Sequence, residues 1–92
     1  MKEISMMISE NFAVDEADEF REKLNHLMKK GEKHFALDFT NCSFIDSTGL
    51  GVLVSIYKKC MEIGGSLRLH SINSSQVMRV FKLTRLDKVF EI

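Results

Sequence analysis

A chain of 92 residues, 45% hydrophobic and 28% charged, has the size and make-up of one globular domain with a single core, spanning residues 1–92. Thirteen basic side chains, the sum of Lys and Arg, are balanced by 13 acidic ones, which disfavours nucleic acid as a partner; the densest basic group, Lys29, Lys30 and Lys33, is offset by Glu32 and reads as a solvated helix end. Cys42 and Cys60 form neither a Cys-x-x-Cys pair nor a zinc-like spacing with histidine, which predicts reduced thiols, no bound metal or cofactor, and a cytoplasmic setting.

Proline is absent, so glycines and short Asn, Ser, Thr and Asp clusters punctuate the chain. Ile4 to Ile8 reads as an edge strand; Ser5, Ser9, Glu10 and Asn11 break it up, so no signal-like apolar run follows the first residues. From Asp15 the spacing turns helical. Ala17, Phe20, Leu24, Leu27 and Met28 share one face, acidic residues lead, lysines trail, and Gly31 marks the end. His34 to Phe39 is apolar enough to be a central strand covered on both sides. Thr40 to Ser43 makes a turn and Phe44-Ile45 a brief extended piece. A helix from about Thr48 to Ile63 carries one stripe of Leu50, Leu53, Val54, Tyr57 and Met61, with a second of Val52, Ile56, Cys60 and Ile63 beside it. Its apolar run, Leu50 to Tyr57, is far below the roughly 20 residues that span a bilayer, so no membrane span is expected. Gly64-Gly65 closes this helix, and Leu67 to Ile72 alternates as a strand. Asn73 with Gln76 resembles a capping pair for a helix that buries Val77, Val80 and Phe81 and runs to Leu83. Lys88 to Ile92 reads as a closing strand. Strands alternating with helices at these lengths predict a small α/β domain with a mostly parallel sheet.

The most informative segment is Phe44 to Leu53, which leads from a buried strand through a hydroxyl-rich turn into an apolar helix. Unpaired amides and the positive end of the helix dipole suit a side-chain cap, and Ser47 and Thr48 are expected to provide it. A phosphate also fits such a helix start, which makes Ser47 a candidate modification site with Asp46 beside it. The local string alone favours an ordinary cap.

Taken with the rest of the chain, the order is more specific. Leu37-Asp38, the Phe44-Ile45-Asp46-Ser47-Thr48-Gly49-Leu50-Gly51-Val52-Leu53 segment, Gly64-Gly65, Leu67-Arg68-Leu69, and then Val77, Phe81, Leu83-Thr84, Leu86-Asp87-Lys88 and Phe90 strongly resemble the STAS family, in particular the bacterial anti-sigma factor antagonists. The resemblance implies a STAS-like fold with a mostly parallel four-stranded sheet, three to four helices and a shortened N-terminal edge strand. It further implies partner switching. An anti-sigma factor serine kinase phosphorylates Ser47 and a serine phosphatase reverses this; only the unmodified form binds the kinase and frees the sigma factor. Asp46, Thr48 and Gly49 correspond to the phosphorylation loop, and Leu50, Gly51, Ser55, Lys58 and Lys59 fall on the expected partner-binding face. The protein is expected to be a monomer or a weak dimer.

Two departures from the family pattern stand out. The chain reaches Ile4 to Ile8 without the first strand of the usual opening hairpin, and Thr84-Arg85-Leu86 stands where the family commonly has Thr-Gly-Leu. Enzymatic function is disfavoured: Ile45-Asp46-Ser47-Thr48-Gly49 lacks the leading glycine of a nucleophile elbow, and His26, His34 and His70 are scattered among different elements. Gly64-Gly65 is not a phosphate loop, and Cys42 reads as a packed side chain. The alternative within the same fold is a regulatory or scaffold subunit of a sensory complex or transporter.

Overall fold

A computed structural model describes residues 2–92. In chain order the elements are β1 (Ile4–Met7), β2 (Asn11–Phe12), α1 (Val14–Lys29), β3 (His34–Asp38), β4 (Phe44–Ile45), α2 (Ser47–Glu62), β5 (Ser66–His70), α3 (Ser75–Leu83) and α4 (Leu86–Val89). Strands β1, β3 and β5 form a parallel sheet with β3 in the centre, running in register from Ile4 opposite Phe35 and from His34 opposite Ser66. The α/β class, the parallel pairing and the number of helices are as expected. The strand arrangement differs: instead of one four-stranded sheet, β2 and β4 pair separately as a two-stranded parallel ladder. The amides of Ser43 and Phe44 both donate to the Glu10 carbonyl, so the turn before β4 is committed to the segment after β1 and not to the main sheet.

Alternation explains the layering. Phe35, Leu37, Leu67 and Leu69 point into one core with Leu24 of α1, Leu53 and Ile56 of α2 and Val77 and Phe81 of α3. The opposite sheet face carries Ser5 and Arg68, both exposed, and Ala36 between them, which is fully covered. The Arg68 guanidinium reaches Glu3 by two bonds of 2.9 and 3.2 Å, and since β1 and β5 flank β3 this fork crosses the face on which Ala36 sits. An exposed pair of this kind adds little stability. The central strand is thus buried on both sides, as its composition requires.

The C-terminal segment corrects two expectations. Lys88 to Ile92 is not a strand: Leu86, Val89 and Phe90 recur at helical intervals, and the Phe90 amide donates to the Leu86 carbonyl at 3.0 Å. Phe90 then packs edge-on against Tyr57 and Phe81, with ring centroids 5.4 and 6.0 Å away. Helix α3 is capped by Ser74, whose Oγ accepts the Val77 amide at 3.2 Å, and not by Asn73 with Gln76. Between α3 and α4, Arg85 sits in the left-handed region at φ 61°, a conformation a side chain disfavours. Replacing Arg85 with Gly should therefore stabilise the fold by about 1 kcal/mol, read as a raised denaturation midpoint with unchanged slope.

At the end of β3, the hydroxyl and amide of Thr40 both donate to Asp38 and hold its carboxyl below its ordinary range. A lowered carboxyl pKa stabilises the folded form above the ordinary value and loses that contribution as pH falls through the folded one. Thermal stability should decline on acidification through this range, and less steeply in Asp38→Asn.

Candidate functional site

Every strand of the two sheets runs parallel to its neighbour, so the turns after β1, β3 and β5 leave the main sheet at one end, where α/β folds commonly place their ligand sites. The turn from β4 into α2 starts from buried Ile45. Asp46, in extended conformation, is the N-cap: its Oδ1 accepts the Gly49 amide at 2.8 Å and its carbonyl takes the first helical bond, from Leu50, at 3.0 Å. This corrects the expectation that Ser47 and Thr48 cap the helix. A carboxylate in that position satisfies one of the orphan amides and interacts favourably with the helix dipole.

Ser47 is the first residue of α2 and is exposed, with no hydrogen bond to its hydroxyl among the described residues. Thr48 follows, half-buried. The amides of Ser47 and Thr48 belong to the open first turn, since the cap engages only that of Gly49. Gly49 is buried for a steric reason. A methyl there would collide with the Phe12 carbonyl oxygen and lie 2.9 Å from the Phe12 ring, so β2 closes on the helix only over a hydrogen atom.

Along α2, positions four apart face the same way, and Ser47, Gly51, Ser55 and Lys59 form an exposed stripe with Lys58 beside it. Gly51 meets nothing at its open side. Lys59 leans toward α1, its Nζ donating to Asn25 Oδ1 at 3.0 Å. Leu50 does not join this surface. It is only 8% exposed and belongs to the core, which corrects its assignment to the partner-binding face; the helical stripe that placed it with Leu53 already pointed inward. Sequence reasoning missed Phe44, one residue before the buried Ile45, which stands 44% exposed at the rim and gives the turn an apolar side chain. The alternation of a two-residue strand, with Ile45 inward, carries that signal.

Other candidate groups lie elsewhere. His34 Nδ1 is 2.8 Å from Ser66 Oγ, His70 Nδ1 is 2.9 Å from Ser71 Oγ, and His26 is exposed on α1. None of them bonds Ser47. Cys42 and Cys60 are buried and unpaired with each other, and burial pushes both thiols up, so each stays protonated at neutral pH. Among the described residues no group of three His, Cys, Asp or Glu side chains is placed to hold a metal ion, and no helix is long and apolar enough to cross a membrane.

With this geometry in view, the class is clear: residues 4–92 match the model of the STAS domain, and the chain belongs to that family. Its relatives include the anti-sigma-B factor antagonist of Bacillus subtilis (strain 168), to which it is 34% identical over 90 residues, covering 98% of this chain and 81% of that protein. It is 33% identical over 60 residues to the anti-sigma F factor antagonist of Paenibacillus polymyxa, covering 65% of this chain and 50% of that one. Among solved structures, the NMR structure of the protein TM1081 superposes with a TM-score of 0.85 at 31% identity, covering 98% of this chain and 72% of its own. The Bacillus cell fate determinant SpoIIAA in its phosphorylated form gives 0.74 at 22% identity, covering 94% and 78%, a likeness of fold.

Removing the Asp46 cap should cost about 1 kcal/mol in Asp46→Ala, measured by denaturant unfolding. Gly49→Ala should cost more, because the methyl must displace backbone at Phe12.

Proposed function

We propose that this protein is an anti-sigma factor antagonist whose docking is switched by a phosphate on Ser47. In this reading the unmodified form binds an anti-sigma factor serine kinase through the stripe of Gly51, Ser55, Lys58 and Lys59, releasing the sigma factor. Phosphorylation ends the contact, and a serine phosphatase restores it. The chain acts as a binding module, not an enzyme. The anti-sigma antagonists among its relatives support the class of partner.

The observation that carries the switch is the division of labour at the start of α2. Asp46 caps the helix, so the Ser47 hydroxyl is exposed and has no structural bond to lose on modification. A phosphoryl group adds about −1.5 to −2 charge at pH 7 and could be met by the open Ser47 and Thr48 amides. The domain would stay folded. A partner surface seated over Ser47 and Gly51 would instead meet new charge and volume at its centre, and a desolvated like-charge or unpaired contact is strongly unfavourable.

Incubation with the cognate kinase and ATP should place one phosphate on Ser47 by mass spectrometry; a phosphate on Thr48 would refute the assignment. Ser47→Ala should bind that kinase as the unmodified protein does, whereas Ser47→Asp should bind roughly tenfold or more weakly by calorimetry. Equal binding by both variants would remove the electrostatic basis of the switch.

A further inference from the structure

The two border strands of the main sheet differ in what lies beside them. The C-terminal segment from Val89 to Glu91 comes alongside β5, where it shares a depression with Ser66, Leu67 and Leu69. On the other border, among the described residues, β1 pairs only with β3. The Ile8 amide donates to the Asp38 carbonyl, and with Met7 opposite Asp38 the parallel pattern turns the backbone groups of even-numbered residues toward β3. The amides and carbonyls of Ser5 and Met7 therefore point outward. Such an edge is a template for another strand unless a lysine, a proline or a bulge guards it, and Ile4-Ser5-Met6-Met7 has none of these.

A groove lies at the Met7 end of this edge, between the segment that follows β1 and α1. Its exposed apolar side chain is Met7, at 57%, over a floor of the buried Phe12 and Phe20 rings, stacked edge to face at 5.4 Å. Its charged wall is α1, which contributes Glu16, Glu19 and Glu22, with Lys23 and His26 further along the same helix. Three carboxylates against one lysine give the groove a negative sign.

We propose that the β1 edge and this acidic groove accept an extended segment of a partner protein in which lysine or arginine alternates with apolar side chains. Outward backbone groups select a strand as the shape of the occupant; Met7 shares the sheet face of Ser5, away from the helices, so alternation lets apolar side chains on that face meet Met7 while cations on the other face meet the glutamates of α1. A second copy of this chain is a poor occupant. Two-fold pairing of β1 with its copy would bring the glutamate rows of two α1 helices toward each other, where like charges repel. This surface shares no residue with the Ser47 stripe on α2.

The test is an NMR titration of the 15N-labelled full chain with a synthetic six-residue peptide of alternating valine and lysine, beside a peptide with glutamate in place of lysine. The lysine peptide should shift the Ser5 and Met7 amides and slow their hydrogen exchange, and the glutamate peptide should not. The surface variant Glu16→Lys, Glu19→Lys, Glu22→Lys should weaken binding by about tenfold or more, and Ser5→Pro, which removes one outward amide, should abolish the protection. Equal response to both peptides, no protection up to about 1 mM lysine peptide, or unchanged affinity in the charge-reversed variant would overturn the proposal. Self-association that protects the same two amides would overturn it as well, by giving the edge to a second copy.

Discussion

A single carboxylate organises the rim of this domain. By accepting the Gly49 amide, Asp46 starts α2 at a fixed residue, sets the helix against Phe12 of β2 through a glycine where any larger residue must push the backbone apart, and frees Ser47 from any structural duty. Had the serine itself been the cap, adding a phosphate would have removed a bond on which the helix depends. With aspartate in that role, a phosphate on Ser47 would instead have to coexist with a carboxylate. Repulsion between a phosphate and a neighbouring carboxylate in water costs on the order of 1 kcal/mol. Attraction to the helix terminus returns about 0.3–1 kcal/mol. The terms nearly cancel within the domain, so a phosphate on Ser47 would leave the fold close to neutral while changing its outer surface.

The helices were legible because their apolar residues recur at 3.6-residue intervals, and the α1 and α2 boundaries fall within a residue or two of those the spacing predicts. The central strand was equally clear from Phe35-Ala36-Leu37, which has no polar residue to turn outward. Short elements were less so. Lys88 to Ile92 alternates poorly, and only the left-handed turn at Arg85, invisible in a string of letters, sends it back onto Tyr57 and Phe81 as a helical turn. Likewise, β4 is two residues long, too short for its own pattern to say which strand it pairs with; backbone bonds to Glu10 decide that.

At the site, residue types were easier to recognise than their roles. Asp, Ser and Thr in succession are all competent caps, and choosing between them requires knowing which residue first turns helical. Asp46 wins because its extended backbone aims the carboxylate three residues ahead, at Gly49. The same offset decides Leu50, since a helix beginning at Ser47 turns position 50 toward the sheet and position 51 toward solvent.

The two cysteines give the molecule a pair of internal clocks. Cys42 lies in the turn ahead of β4, its Sγ 3.5 Å from the Phe44 carbonyl, and Cys60 lies late in α2 with no exposed surface. Reaction with an alkylating reagent needs a thiolate in contact with water, and burial denies both conditions at each position. Alkylation can therefore proceed only through transient opening, and the two thiols report on different places: Cys42 on loosening of the turn ahead of β4, Cys60 on exposure of the core beneath the end of α2.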